Sequence, residues 1–211
     1  MLEWITLTLG PVATNCYLLA DRDTGEAAAL DPGWDGEVIA DEARRRGWRI
    51  NHLWYTHAHF DHFGGAAQIA AQLEKPPLVA MHPADYRLWQ NLGGAPLFGL
   101  RIDRGPKPTV DLAHGQSLTL GDNLFEVRHC PGHTAGHVLF YCAQENLALV
   151  GDLIFRGSIG RTDLPGGDYD TLIESIHAQV LSLPDATRLL PGHGEITSVA
   201  AERSENPYLN D

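Results

Sequence analysis

The sequence predicts an α+β fold in which two β-sheets pack face to face with helices on their outer sides. Three observations predict it. The chain runs strands, helices, strands, helices, in two halves of similar composition. Each sheet-forming stretch needs a second layer to bury its apolar face, and the helical stretches between them supply it. At 211 residues, with no low-complexity segment, long linker or exact repeat, residues 1–211 suit one compact domain.

The elements follow from the local patterns. Residues 4–9, 16–20 and 26–30 read as short strands separated by Gly-Pro and Asp-rich turns, the third ended by Asp31-Pro32-Gly33. Residues 36–47 set Val38, Ile39 and Ala43 among charges, an amphipathic helix. A buried strand at 52–55, an Ala-rich helix at 65–73 and a strand at 78–80 come next. Residues 83–92 suit a helix with proline in its first turn. The Gly- and Pro-rich residues 93–110 read as a surface loop. Strands return at 117–120, 124–129, 138–142 and 147–150. A helix at 168–181, a strand at 187–190 and a helix at 197–203 close the chain.

Composition narrows the function classes. The apolar runs fall far short of the ~20 residues a membrane span needs, and Met1-Leu2-Glu3-Trp4 lacks the basic and apolar regions of a secretory signal. A cytoplasmic location is the expectation. Three cysteines, Cys16, Cys130 and Cys142, argue against a disulfide framework, and none forms a Cys-x-x-Cys pair. A formal charge of −12 argues against nucleic acid as partner. Arg44-Arg45-Arg46 reads as a solvated helix face near a C-terminus.

Histidine is abundant, with eleven in the chain, and its placement carries the chemistry. The run His57-Ala58-His59-Phe60-Asp61-His62 directly follows an apolar strand. Imidazole and carboxylate together suit borderline divalent metals. Crowding four such groups into six residues would be unfavourable in a core without a cation to satisfy them. In an extended segment alternate residues project to one side, so His57 and His59 can share one metal while Asp61 and His62 turn toward another. A polar loop of chance composition is the alternative. Three further turns carry a ligand-type residue beside glycine after an apolar strand. They are Pro131-Gly132-His133, Gly151-Asp152 and Pro191-Gly192-His193.

These motifs resemble the metallo-β-lactamase superfamily, in which seven such residues build a two-metal site. The resemblance implies a four-layer αββα sandwich, the metallo-β-lactamase fold, over about residue 5 to the end. It implies that His57, His59 and His133 hold one metal ion, that Asp61, His62 and His193 hold the other, and that Asp152 bridges them. Two divalent ions, zinc first and iron or manganese as alternatives, are the implied cofactors. The stretch from Gly151-Asp152 to Arg161-Thr162-Asp163 resembles the glyoxalase II and persulfide dioxygenase branch, where a basic residue matching Arg161 lies near the glutathione part of the substrate. A surface ion pair of Arg161 with Asp163 or Asp168 is the competing reading. The ending Glu202-Arg203-Ser204-Glu205-Asn206-Pro207-Tyr208-Leu209 resembles short bacterial type II glyoxalases. Only 18 residues follow His193, too few for the helical domain with which long members contact glutathione.

The expected activity is thioester hydrolysis of a small molecule such as S-D-lactoylglutathione by a metal-bound hydroxide, with Asp61 and Asp152 in catalytic positions. The main rival is a glutathione persulfide dioxygenase with a single iron on residues matching His57, His133 and Asp152. A β-lactamase is disfavoured by aspartate at 152, and a non-catalytic metal-binding module by the intact ligand set. Asp31 is read as a partner of a ligand or as a turn aspartate, and His137 as orienting the His133 loop or as a polar strand start. Cys130 is expected in the core, with His129 supporting the site. His52, His82, His114 and His177 are expected to be ordinary surface or packing residues.

Overall fold

The computed structural model describes residues 1–209 and has two six-stranded sheets. The first sheet takes β1 (Leu2–Leu9), β2 (Thr14–Asp21), β3 (Glu26–Leu30), β4 (Arg49–Trp54), β5 (Leu78–Met81) and β6 (Val110–Asp111) in that spatial order. Its first three strands are antiparallel and the rest parallel. The parallel joins need crossovers. Helix α1 (Gly36–Arg46) carries the first, and α2 (Ala66–Gln72) the second. The short α3 (Tyr86–Gln90) lies on the way to β6.

The second sheet contains β7 (Ser117–Leu120), β8 (Asn123–His129), β9 (Val138–Cys142) and β10 (Leu147–Gly151). A separate hairpin, β11 (Ile154–Phe155) with β12 (Ser158–Ile159), follows. Helix α4 (Tyr169–Ser175) runs on into a wider turn at Ile176–Val180 and returns the chain to β13 (Arg188–Pro191), parallel to β10. Strand β14 (Thr197–Ser198) and α5 (Val199–Glu205) complete the order β14-β13-β10-β9-β8-β7.

Strand alternation sorts the core into three layers. On β2, Tyr17 and Leu19 face the second sheet, while Cys16, Leu18 and Ala20 join Ile39, Ala43 and Ile69 of α1 and α2. On β10, Leu147 and Leu149 point between the sheets, and Ala148 and Val150 meet Leu172, Ile176 and Val199. Sheets covered on both sides explain why these strands read as continuous apolar runs. Trp54 joins the sheets, its ring stacked on Phe140 at 5.4 Å and edge-on to Phe125 at 5.1 Å.

The α+β sandwich agrees with the sequence expectation. The arginine cluster also lies as expected on α1, with Arg44 paired to Asp41, and Arg45 and Arg46 to Glu42. Residues 93–110 are less plain than a surface loop, because they begin in short helical turns kinked at Gly93 and Gly94 and end in β6. Among the described residues no helix is long and apolar enough to cross a membrane.

Candidate metal centre

Four strand ends meet at one edge of the sandwich. After β4 the chain continues through Tyr55 and Thr56 into His57-Ala58-His59, then a 3₁₀ turn at Phe60–His62. His133 lies between β8 and β9, Asp152 follows β10, and His193 follows β13. All seven predicted ligand residues converge there, six of them buried and His193 partly exposed.

His57 Nε2, His59 Nδ1 and His133 Nε2 form a triangle with edges of 3.1, 2.9 and 3.1 Å. A second group faces it. His193 Nε2 lies 3.2 Å from Asp61 Oδ2, and His62 Nε2 lies 3.5 Å from the same oxygen. Asp152 stands between the groups, its Oδ1 3.4 Å from His62 Nε2 and its Oδ2 3.7 Å from His133 Nε2 and 3.5 Å from His193 Nε2. The Pro-Gly-His turn needs its glycine: a Cβ at Gly192 would come within 2.2 Å of Asp152 Oδ1 and 2.7 Å of His62 Cε1.

The imidazoles are held from behind. Asp31 is buried and accepts the Thr56 amide and hydroxyl, both at 2.7 Å, and His62 Nδ1–H at 3.0 Å. Thr56 Oγ1 in turn lies 3.0 Å from His57 Nδ1. One carboxylate thus aims two rings and leaves their Nε2 atoms facing the centre. Asp31 is thus the buried partner of His62, not merely a turn residue. His133 Nδ1–H donates to the Arg161 carbonyl at 2.7 Å. His137, just before β9, closes the His133 loop through its backbone carbonyl, which accepts the Cys130 amide, and its Nε2 in addition accepts the Asp152 amide at 3.2 Å.

The donor set suits divalent cations. Tetrahedral zinc with nitrogens at ~2.0–2.1 Å spaces them roughly 3.3 Å apart, close to the triangle found here. Facing imidazole nitrogens cannot all carry protons, and burial, then His62 and His133, hold His57 well below the usual imidazole range. Burial and His133 bring His59 down to about 3. Neutral imidazole is the ligand form. On the other side the cluster is short of positive charge. Burial opposes a charged His62, yet Asp152, Asp61 and Asp31 raise it well above its ordinary value. Asp152 is likewise opposed by burial and still held below the carboxylate range by His62, His133 and His193. His62 Nε2 and Asp152 Oδ1 are buried without a hydrogen bond. Unpaired buried donors and acceptors of this kind are rare unless another partner is intended.

The remaining predicted residues fall as follows. Arg161 forms a two-pronged pair with Asp163, both contacts 2.7 Å, with half its side chain exposed. Cys130 is buried in the core. His129 Nε2–H donates to the Ala135 carbonyl at 2.9 Å, and its ring stacks on His82 at 4.1 Å. His52 pairs with Glu26, His114 receives the His129 amide, and His177 is exposed.

Sequence reading missed Asp85 and Asn15. Asp85 is buried and accepts the Ala58 amide at 3.0 Å, the Gly136 amide at 2.7 Å and the Thr134 hydroxyl at 2.7 Å. It clamps the His57-Ala58-His59 segment to the His133 loop. Asn15 Nδ2 donates to the carbonyls of Pro191 and Gly194, fixing the turn that bears His193. Replacing Asp85 with alanine strands three buried donors at about 1–3 kcal/mol each, less than additively. We expect a loss of about 3 kcal/mol and a melting temperature roughly 6–12 °C lower, read by thermal unfolding. A melting temperature unchanged within a degree or so would remove the clamp.

Residues 9–193 match the model of the metallo-beta-lactamase superfamily. A relative named hydroxyacylglutathione hydrolase GloC, from Haemophilus influenzae, is 37% identical over 198 residues, spanning 93% of this chain and 92% of that one. The crystal structure of TTHA1623 in a di-iron-bound form superposes with a TM-score of 0.88 at 38% identity, covering 97% of this chain and all of the other. That of the BLEG-1 B3 metallo-beta-lactamase has the same TM-score at 36% identity and covers both chains fully.

Proposed function

Because the chain belongs to the metallo-beta-lactamase superfamily, we propose that it is a metal-dependent thioester hydrolase, with S-D-lactoylglutathione as the reference substrate. The observation that carries the reading is the pair of facing ligand groups with a carboxylate between them. In this reading His57, His59 and His133 hold one cation, Asp61, His62 and His193 hold a second, and Asp152 serves both. Bound divalent cations supply Lewis acidity, lowering the pKa of a coordinated water from 15.7 toward ~7 and polarising a carbonyl.

The chain's own residues do the rest. Asp31 and the Arg161 carbonyl fix the ring orientations, so the donor atoms need no rearrangement during turnover. Asp61 Oδ2, which also accepts the Thr14 hydroxyl at 3.2 Å, is a fixed acceptor for a proton of the attacking water. Water adds to the thioester carbon, the C–S bond breaks, and the products are a carboxylic acid and a thiol. A thiol with pKa near ~8.5 departs as thiolate without a strong general acid.

The similarity to GloC supports the thioester as substrate. Likeness to BLEG-1 favours a second reading, in which the acyl substrate is a β-lactam. The test is to purify the protein with its native metals and count them per chain. S-D-lactoylglutathione and nitrocefin hydrolysis are then assayed beside glutathione-persulfide-dependent oxygen uptake. About two ions per chain with thioester cleavage that needs no oxygen is the expected result. One iron with oxygen uptake, or cleavage of nitrocefin alone, would displace the proposal.

A further inference from the structure

The cleft that opens onto the metal centre has walls of unusual chemistry. Its volume is about 690 Å³, and His59, Asp61, His133, Asp152 and His193 line its floor. One wall comes from Leu92–Phe98, at the start of the Gly- and Pro-rich segment. Gly93 lets this segment sit directly on the His57–His62 loop: its φ is +58°, and a Cβ there would come within 2.3 Å of the Phe60 amide nitrogen. The backbone contact anchors the segment while Leu97 and Phe98 project from it. The Phe98 ring leans on Phe60 at 5.5 Å. Val12, from the turn between β1 and β2, stands at the same mouth, and Phe155 and Ile159 of the β11–β12 hairpin supply further apolar wall.

Val12, Leu97 and Phe98 are 44%, 71% and 48% exposed. Apolar side chains left in water around a concave site mark a surface that is covered when ligand binds. Charge points the same way. Arg161 is the only lysine or arginine among the lining residues, and its guanidinium is already matched by Asp163. Glutathione carries more carboxylates than ammonium groups, and a protein of net charge −12 offers it no steering.

We infer that the cleft selects thioesters whose groups on either side of the scissile bond are apolar and uncharged, in preference to glutathione conjugates of small hydroxy acids. The inference rests on the thioester hydrolase reading above and specifies its substrate class. Leu97 and Phe98 are the specificity-determining residues, acting by covering the acyl chain.

The full chain, purified with its metals, is assayed against S-hexanoyl-N-acetylcysteamine and S-D-lactoylglutathione. The first is expected to show a kcat/KM at least about tenfold higher, because each buried methylene contributes several-fold. Replacing Leu97→Ser together with Phe98→Ser should lower that value about tenfold or more, and Leu97→Ser alone, at the more exposed position, should lower it with little change in melting temperature. A preference for S-D-lactoylglutathione overturns the inference and leaves the hydrolase reading standing. An unaltered hexanoyl rate in the double variant overturns the role of the Leu92–Phe98 wall and the inference with it. Cleavage of neither thioester by protein holding its metals ends both.

Discussion

Replacing Asp152 with alanine is expected to lower thioester turnover by at least about a thousandfold. The carboxylate is placed against both ligand sets, with Oδ1 toward His62 and Oδ2 toward His133 and His193. Its removal takes a donor from each proposed cation, whereas loss of a group that only orients a ligand costs about 10- to 100-fold. Alanine leaves the backbone free to keep the His137 contact, which uses the Asp152 amide and not its side chain. The variant should therefore fold, and metal content and thermal melting are measured beside kcat/KM to show that it has. Undiminished turnover in a folded Asp152→Ala variant would sink the mechanism. Asp152→Asn tests charge separately from shape: it keeps an oxygen donor and should retain more metal than alanine does.

What the sequence revealed and what it hid divide along the range of the contacts. The ligand-type residues of His57-Ala58-His59-Phe60-Asp61-His62 stand within six positions, and the three later turns repeat one local pattern, so both are readable without a fold. The apolar strands were readable for the same reason, because sheets covered on both faces leave continuous runs. Asp85 was not, since Pro83-Ala84-Asp85 looks like any turn and its partners lie at Ala58, Thr134 and Gly136. Asn15 reaches Pro191, a partner 176 positions away. Strands of two residues, such as β11 and β12, have too little sequence for alternation to register. Arg161 shows a subtler limit. Motif reading directs attention to its side chain, yet its backbone carbonyl is what meets His133, and any residue could supply that.

Chelation is expected to destabilise the protein by about 4 kcal/mol, the linkage value for a site held at roughly a thousandfold over its dissociation constant. For a chain of this size that is a fall of roughly 8–16 °C in melting temperature. The physical reason lies in what stripping leaves behind. Three imidazole nitrogens face one another at 2.9–3.1 Å, and three carboxylates, from Asp31, Asp61 and Asp152, surround His62. His62 Nε2 and Asp152 Oδ1 form no hydrogen bond in this arrangement. Thermal unfolding is recorded before EDTA treatment, after it, and after return of zinc, iron or manganese, with activity followed in parallel. A melting temperature indifferent to chelator would count against cations at this cluster, whatever the activity. A large drop restored by metal, in a protein inert toward every acyl substrate, would instead make the cations structural. Only joint loss and joint recovery of stability and turnover tie the same seven side chains to both the fold and the chemistry.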